Sequence, residues 1–272
     1  MSSWIALSST EHANKHWQPK DGYEFASGQQ VVPIILAEIA KILPHYVTGF
    51  VQDEGGSFQW VALVGVGGER NLYVTRDSKW FCSYIPANLR AYPFAVLKKE
   101  DGNGVFCLNK AHISEDRSYP RIFESNGELE RSVAEALEFI SQCERNRLLT
   151  AKACASLNEA NLIQPWSISI DRGTHQEPLK IQGMHRIDEE KLNALGAERL
   201  AALRDIGALS LAYAQLFTIA QMDQLTLRAE FLAKANKNIT PSAGLDDLFR
   251  NEDSGSLNFD AFDFDNINSG KK

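Results

Sequence analysis

The 272 residues are 44% hydrophobic and 23% charged, close to globular averages, so the chain can bury a real core in one large or two small units. Net charge is −7 and unevenly placed: residues 240–272 hold seven acidic and three basic side chains, leaving −3 on the body. A near-neutral body without basic runs argues against nucleic acid as a main partner, and no apolar run approaches the roughly 20 residues that span a bilayer. The opening MSSWIALSSTEHANKHW lacks a basic start and a long apolar stretch, which predicts no signal peptide and a cytoplasmic protein, unless export uses a C-terminal signal. Cys82, Cys107, Cys143 and Cys154 have no zinc-knuckle or redox spacing and read as reduced core thiols.

Ser8 followed by Glu11 fits a capping box and predicts a short helix that stops before Pro19. His12 and His16 would stand four apart on it, a spacing that can seat a metal. No third ligand lies nearby, so no metal is assigned. After the turn-rich DGYEFASGQQ, Pro33 to Leu43 predicts a second helix, apolar almost all round and therefore buried, with Pro44 as its stop. Glu38 is its odd member. It either points outward at the helix edge or pairs with a buried cation, Arg90 being one candidate.

Strands follow at VTGFVQ (47–52), FQWVALVGV (58–66) and NLYVTRD (71–77), separated by glycine-rich DEGG and GVGGER. These glycines read as hairpin turns; as a phosphate loop, GVGG lacks the required lysine and precedes a strand instead of a helix. With FAVLKK (94–99), a turn at DGNG and GVFCLN (104–109), about five strands between 47 and 108 suit an antiparallel meander. Residues 110–127 read as a loop carrying His112.

Ser125 and Glu128 form a second capping box ahead of an apolar stripe from Leu129 to Leu157, which predicts a helix or bent pair of up to about 33 residues, roughly 50 Å if straight. Trp166 to Ile170 alternates as a strand, DRGT turns, and Leu179, Ile181 and Gly183 return as its hairpin partner. From Asp188 to about Asn236 the chain is helical, punctuated by Gly196 and Gly207. Gln215, Thr218, Gln221 and Gln224 step along the last helix as a polar ridge, read first as a solvent strip and second as a ligand or partner face.

No nucleophile elbow, zinc-protease, Walker or Rossmann pattern is present, and His45, His112, His175 and His185 each read as isolated residues near turns or strand ends. The densest chemistry is KWFCSYIPANLRAYPF (79–94). Pro86 can open a helical turn there, Tyr84 and Asn88 then stand four apart, and Pro93 forces the chain extended. Arginine among aromatic faces favours a planar anion or a cation–π stack. Trp80, Tyr84, Asn88, Arg90 and Tyr92 are therefore the candidate ligand-binding residues, for a carboxylate or aromatic ligand. The competing and favoured reading is a structural clamp in which Arg90 pairs with an internal carboxylate or backbone carbonyls.

This stretch resembles the bacterial SapC family, together with DGYEFASGQQVVPI (21–34), ALVGVGGERNLYV (62–74), LIQPW (162–166) and LSLAYAQLFTIAQMDQL (209–225), in the family's order and over about residues 1–235. The resemblance implies an accessory protein. The family is named for a surface-layer locus, has no established catalytic residues, and its genes often neighbour flavin-dependent halogenase-like proteins and outer-membrane receptors. His45-Tyr46-Val47 and CLNK (107–110) depart from its usual pattern.

The expectation is an α+β domain over residues 1–239, with an antiparallel sheet of about five strands plus a hairpin, covered by long helices. Residues 240–272 are expected to form a disordered acidic tail whose Phe249, Phe259, Phe262 and Phe264 suit docking to a protein partner. The expected function is a non-enzymatic, cofactor-free SapC-type accessory or binding protein, recognising a small carboxylate or aromatic ligand or a protein partner. Two alternatives stand beside it: an enzyme with a dispersed site centred on Arg90, and a surface-layer component or export factor.

Overall fold

The computed structural model describes residues 4–67, 70–98, 104–170 and 179–237. Contacts divide the chain into a body, residues 1–232, and a C-terminal unit, residues 233–272, of which only the helical 233–237 is described. The body is a mixed α+β fold.

Its strands in chain order are β1 (Trp4–Ala6), β2 (His16–Trp17), β3 (Val31–Pro33), β4 (Val47–Gln52), β5 (Phe58–Leu63), β6 (Phe94–Lys98), β7 (Gly104–Asn109), β8 (Ile113–Ser114), β9 (Ile163–Pro165), β10 (Ile168–Ile170), β11 (Leu179–Ile181) and β12 (Met184–Ile187). Its helices are α1 (Ile39–Ile42), α2 (Ala87–Arg90), α3 (Arg131–Glu159), α4 (Glu189–Asn193), α5 (Ala197–Asp205), α6 (Ala208–Thr218) and α7 (Met222–Lys237).

The main sheet is antiparallel with order β3-β5-β4-β12-β9. Its spine is the β4–β5 hairpin, closed where Asp53 accepts from Ser57 N (2.8 Å) and Gly56 N (3.0 Å). Val47 to Phe50 are all buried, as a central strand covered on both faces requires. Gly49 is the close approach: a Cβ there would lie 2.6 Å from Met184 Cε and 2.9 Å from the His185 carbonyl of the neighbouring strand. α3 packs on β5, α6 packs on β4 and β12, and the two helices touch each other.

A smaller sheet, β1-β7-β6, carries a second core of Phe94, Leu108, Ile122, Phe123, Val133 and Ile140. The two cores share α3. Its first half contributes Val133 and Ile140 to the small one and its second half Ala153, Cys154 and Leu157 to the large one. At 29 residues, about 44 Å, α3 is long enough to serve both. Residues 79–94 make the other crossing, with Leu89 in the large core and Phe94 in the small.

Several expectations change. The opening residues form β1, turns and β2 with no helix, so His12 and His16 do not share a helical face. Buried His12 instead packs back on its own turn, where its Nδ1 accepts from Ser8 N (3.2 Å). The helix expected over 33–43 is a single 3-10 turn, Leu36–Glu38, running into α1, because Pro33 is the last residue of β3 and faces Val61. NLYVTRD is not a strand; only Val74 makes a bridge, to Trp80. The expected meander is split: β4 and β5 belong to the main sheet, β6 and β7 to the small one. α3 begins six residues after Ser125, capped by the Glu130 side chain, which accepts from Ser132 N (2.9 Å).

The hairpin does form, as β10–β11, with Ile168 opposite Ile181. Gly196 and Gly207 do separate the C-terminal helices, Gly207 at φ 77°, a left-handed turn that suits glycine. The polar ridge is divided. Gln224 is exposed, while Gln215 and Thr218 are fully buried against the sheet. DRGT, the first three residues of DGNG (101–103), His175 and residues 240–272 lie outside the described residues.

Candidate functional site

A cleft of about 380 Å³ opens beside α2. One wall is Pro33 to Glu38, another the β4–β5 hairpin from Val51 to Trp60, and a third the middle of α3 from Cys143 to Cys154, with Ala87 and Asn88 of α2 beneath. Glu38 is 3% exposed and accepts three hydrogen bonds: from Ile35 N (3.1 Å) on Oε2, and from Tyr84 Oη (2.8 Å) and Ala87 N (2.6 Å) on Oε1. It thereby pins the 3-10 turn to the start of α2. Thr150 of α3 completes that corner, accepting from Leu36 N (3.0 Å) and donating to the Asn146 carbonyl (2.8 Å).

Polar groups with more freedom line the rest. Arg147 and Glu144 form a half-exposed pair (2.8 Å), Asn88 is exposed, and Trp60, itself 1% exposed, has an indole N–H without an acceptor among the described residues. The Cys143 thiol is pushed up by burial and then by the Glu38 carboxylate, with Arg90 acting against them. It is held as a thiol at neutral pH and is a weak nucleophile there. No histidine is among the described lining residues.

The five residues nominated from sequence occupy three different places. Trp80 belongs to a ladder of rings, stacked on Tyr73 (5.6 Å), which stacks on Tyr46 (4.8 Å); its Nε1 donates to Tyr46 Oη (2.9 Å), which donates onward to the Tyr84 carbonyl (2.5 Å). Burial pushes the Tyr46 and Tyr73 phenols well above their ordinary range. Tyr92 faces away, stacked 3.9 Å from Phe25, with its hydroxyl 3.0 Å from His112 Nε2. Tyr84, Asn88 and Arg90 do gather at α2, but of the three only Asn88 lines the cleft.

Arg90 does not pair directly with Glu38. Its Nη2 donates to Tyr84 Oη (3.3 Å), which donates to Glu38, so the two charges are joined through the phenol. Burial, and then that bond to Glu38, push the Tyr84 hydroxyl up. The guanidinium is exposed and lies 4.8 Å from the Phe139 ring centre and 5.5 Å from that of Tyr84. No carboxylate lies within ion-pair distance of Arg90 among the described residues.

Lys20 is a second cation here that the sequence did not single out. It donates to the Leu89 (2.9 Å) and Arg90 (3.0 Å) carbonyls at the end of α2, and sits 5.0 Å from the Tyr23 ring centre. Burial and the nearby Arg90 push its ammonium down to about 8. Cys143, Glu144, Arg147 and Trp60 were likewise missed. Their meeting depends on a fold that brings β5 against α3, about 90 residues away, and no local pattern records that.

The SapC family model matches residues 7–225. The chain belongs to the SapC family. The match takes in every wall of the cleft, α2 with Arg90, and α6, and each segment that carried the resemblance in sequence lies inside it. No curated protein and no solved structure matches the chain. Among the described residues of this SapC protein no cluster of three or more His, Cys, Asp or Glu could hold a metal ion, and no helix is long and apolar enough to cross a membrane.

Proposed function

We propose that this SapC protein is a binding or accessory protein that takes a small ligand bearing a carboxylate on an aromatic or apolar frame, with the ring in the cleft beside α2 and the carboxylate on Arg90. The observation that carries this reading is the state of Arg90: an exposed guanidinium laid across two aromatic faces, without an ion-pair partner among the described residues, two residues along α2 from Asn88, which lines a cleft of about 380 Å³. Such a cation is pre-oriented for bidentate recognition of a planar anion. The cleft adds a largely apolar lining. A binding role suits the lining chemistry better than turnover does. Glu38 is engaged by three donors, and the Cys143 thiol is held protonated with no histidine among the described lining residues.

The test is calorimetric titration of the full chain with benzoate, phenylacetate and indole-3-acetate, and with benzamide as the uncharged control. A charge-assisted contact contributes about 1.5–3 kcal/mol, so Arg90→Ala weakens carboxylate binding by roughly 10- to 100-fold, Arg90→Lys by less, and benzamide is insensitive to both. Carboxylate binding that survives Arg90→Ala unchanged, with only a lower melting temperature, overturns the reading.

A further inference from the structure

A second recess lies in the small-sheet half of the body, built from pieces far apart in sequence. β2 is laced into place on both sides. His16 and Trp17 pair with Ser114 and Ile113 of β8, and on the other edge His16 bridges Arg121, Trp17 N donates to the Pro120 carbonyl (3.0 Å), and Ile122 N donates to the Lys15 carbonyl (3.1 Å). These backbone ties bring the Ala13–Asn14 turn, His16, Arg117 and Arg121 around one pocket of about 150 Å³, room for more than a single water molecule.

The pocket's chemistry is one-sided. Two guanidiniums line it, and no carboxylate does. Neither Arg117 nor Arg121 makes a side-chain hydrogen bond, ion pair or ring contact among the described residues. The two carboxylates that precede Arg117 in sequence have other partners: Glu115 pairs with Lys15 (2.5 Å), and Asp116 accepts from the backbone N–H of Ser118 (2.9 Å). Asp116 is held below the ordinary carboxylate range chiefly by Ser118, with His16 the least contributor, and it does not line the pocket.

His16 supplies the second, independent observation. Its side chain is only 6% exposed, it lines the pocket, and its Nδ1 is fully buried with no partner. A buried ring nitrogen without a partner costs stability unless something occupies the space beside it. Arg117 and Arg121, exposed and without counterions among the described residues, can receive an anion, and His16 Nδ1, when it carries the ring proton, needs an acceptor. One ligand class meets both demands.

We propose that this recess binds a small tetrahedral oxyanion of the phosphate class, held by Arg117 and Arg121, with His16 Nδ1–H as the buried donor. At about 150 Å³ the pocket takes the oxyanion itself, and any ester substituent lies outside its mouth. The same chemistry serves free phosphate and the phosphoryl end of a larger molecule, so both are tested.

The experiment is calorimetric titration of the full chain with inorganic phosphate and, separately, with glycerol 3-phosphate, at constant ionic strength set by chloride. Saturable binding is expected, weakened at least 10-fold by Arg117→Ala and by Arg121→Ala. These exposed positions can be changed without disturbing the fold, as circular dichroism will verify. His16→Asn, which can place an amide donor near the position of Nδ1, retains binding better than His16→Leu. Tighter binding of phosphate assigns the site to the free ion; tighter binding of the ester assigns it to a phosphoryl group. Heat no greater than that of added chloride, or binding unchanged in both arginine variants, overturns the proposal. So does binding lost in Arg90→Ala but kept in Arg121→Ala, which would put the anion in the cleft beside α2.

Discussion

Glu38 is the residue on which the corner of the cleft turns, and its worth can be worked from its three bonds. Oε1 accepts from Tyr84 Oη and Ala87 N, Oε2 from Ile35 N. In Glu38→Gln the amide oxygen can keep the Oε1 pair, but the NH₂ then confronts the Ile35 N–H, so one donor loses its acceptor. That costs about 1–2 kcal/mol. Glu38→Ala abandons all three donors, two of them backbone, and removes side-chain volume besides. Because the cleft admits water to rescue part of the loss, the cost is about 3–5 kcal/mol and not the full sum. For a body of this size each kcal/mol moves the midpoint by about 2–4 °C, so the two variants fall roughly 4 °C and 10 °C below the parent. Thermal unfolding followed by circular dichroism, backed by urea titration, measures both. Equal midpoints for Glu38→Gln and Glu38→Ala, or both within 1 °C of the parent, would refute the claim that the carboxylate pins the 3-10 turn to α2.

Two further outcomes follow from buried polar groups. Gln215→Leu should cost about 2–5 kcal/mol in urea titration, because Ile187 N (2.8 Å) and the Thr48 carbonyl (3.2 Å) lose their only bridging side chain inside the fold; a cost below about 1 kcal/mol would mean the strands close up without it. Lys20 gives a pH signature: its ammonium is pushed down to about 8 in the folded body from the ordinary 10.5, so unfolding takes up a proton between those values and stability rises with pH across that window. After discounting for solvent screening the gain is on the order of 1 kcal/mol, and it should vanish from the pH profile of Lys20→Met. Above about 10 the raised Tyr46, Tyr73 and Tyr84 phenols pull the other way, since the unfolded chain ionises first, so the parent-minus-variant difference is the quantity to plot. Parallel profiles for parent and variant from pH 8 to 10 would show that Lys20 is not desolvated.

What could be read from residue order was whatever a segment decides for itself. The β4–β5 hairpin is two β-rich runs around a glycine turn, α3 repeats apolar residues every three or four positions, and the C-terminal helices stop at glycines; all three formed. The failures are segments whose structure is set by distant partners. β1 and β2 are three and two residues long, and exist because β7 and β8, about 100 residues on, offer them ladders. NLYVTRD has a strand's composition, yet Tyr73 is spent in the ring ladder with Tyr46 and Trp80 instead of in a sheet. The polar ridge on α6 failed for a related reason. The β4–β12 pairing is recorded at Val51–Met184 and Phe50–His185, and continued two residues further it sets Thr48 opposite Ile187. Gln215 bonds to both of those backbones, standing where the ladder's own hydrogen bond would be. Periodicity marks a polar residue on a helix face; it does not say whether water or an unpaired strand waits there.

The same distinction sorts the aromatic stretch that sequence nominated as a site. Density of rings cannot separate a stacking partner from a ligand platform, because both need rigid, flat, amphipathic groups. Hydrogen-bond accounting can. Trp80 has its N–H satisfied by Tyr46, and Tyr92 its hydroxyl by His112, so both have the bonding expected of structural members. Glu38 is engaged by three donors, and Tyr84 is held between Glu38 and Arg90. Asn88 and Arg90 reach the surface with donors to spare, and of the two Arg90 carries the charge, its single side-chain bond among the described residues being the long one to Tyr84, with both neighbouring rings already positioned beneath it. A clamp and a binding site are therefore not rival accounts of residues 79–94. The clamp is what fixes the rings in place, and on the proposed reading the unsatisfied donors of Arg90 are what that clamp would hold out toward a ligand.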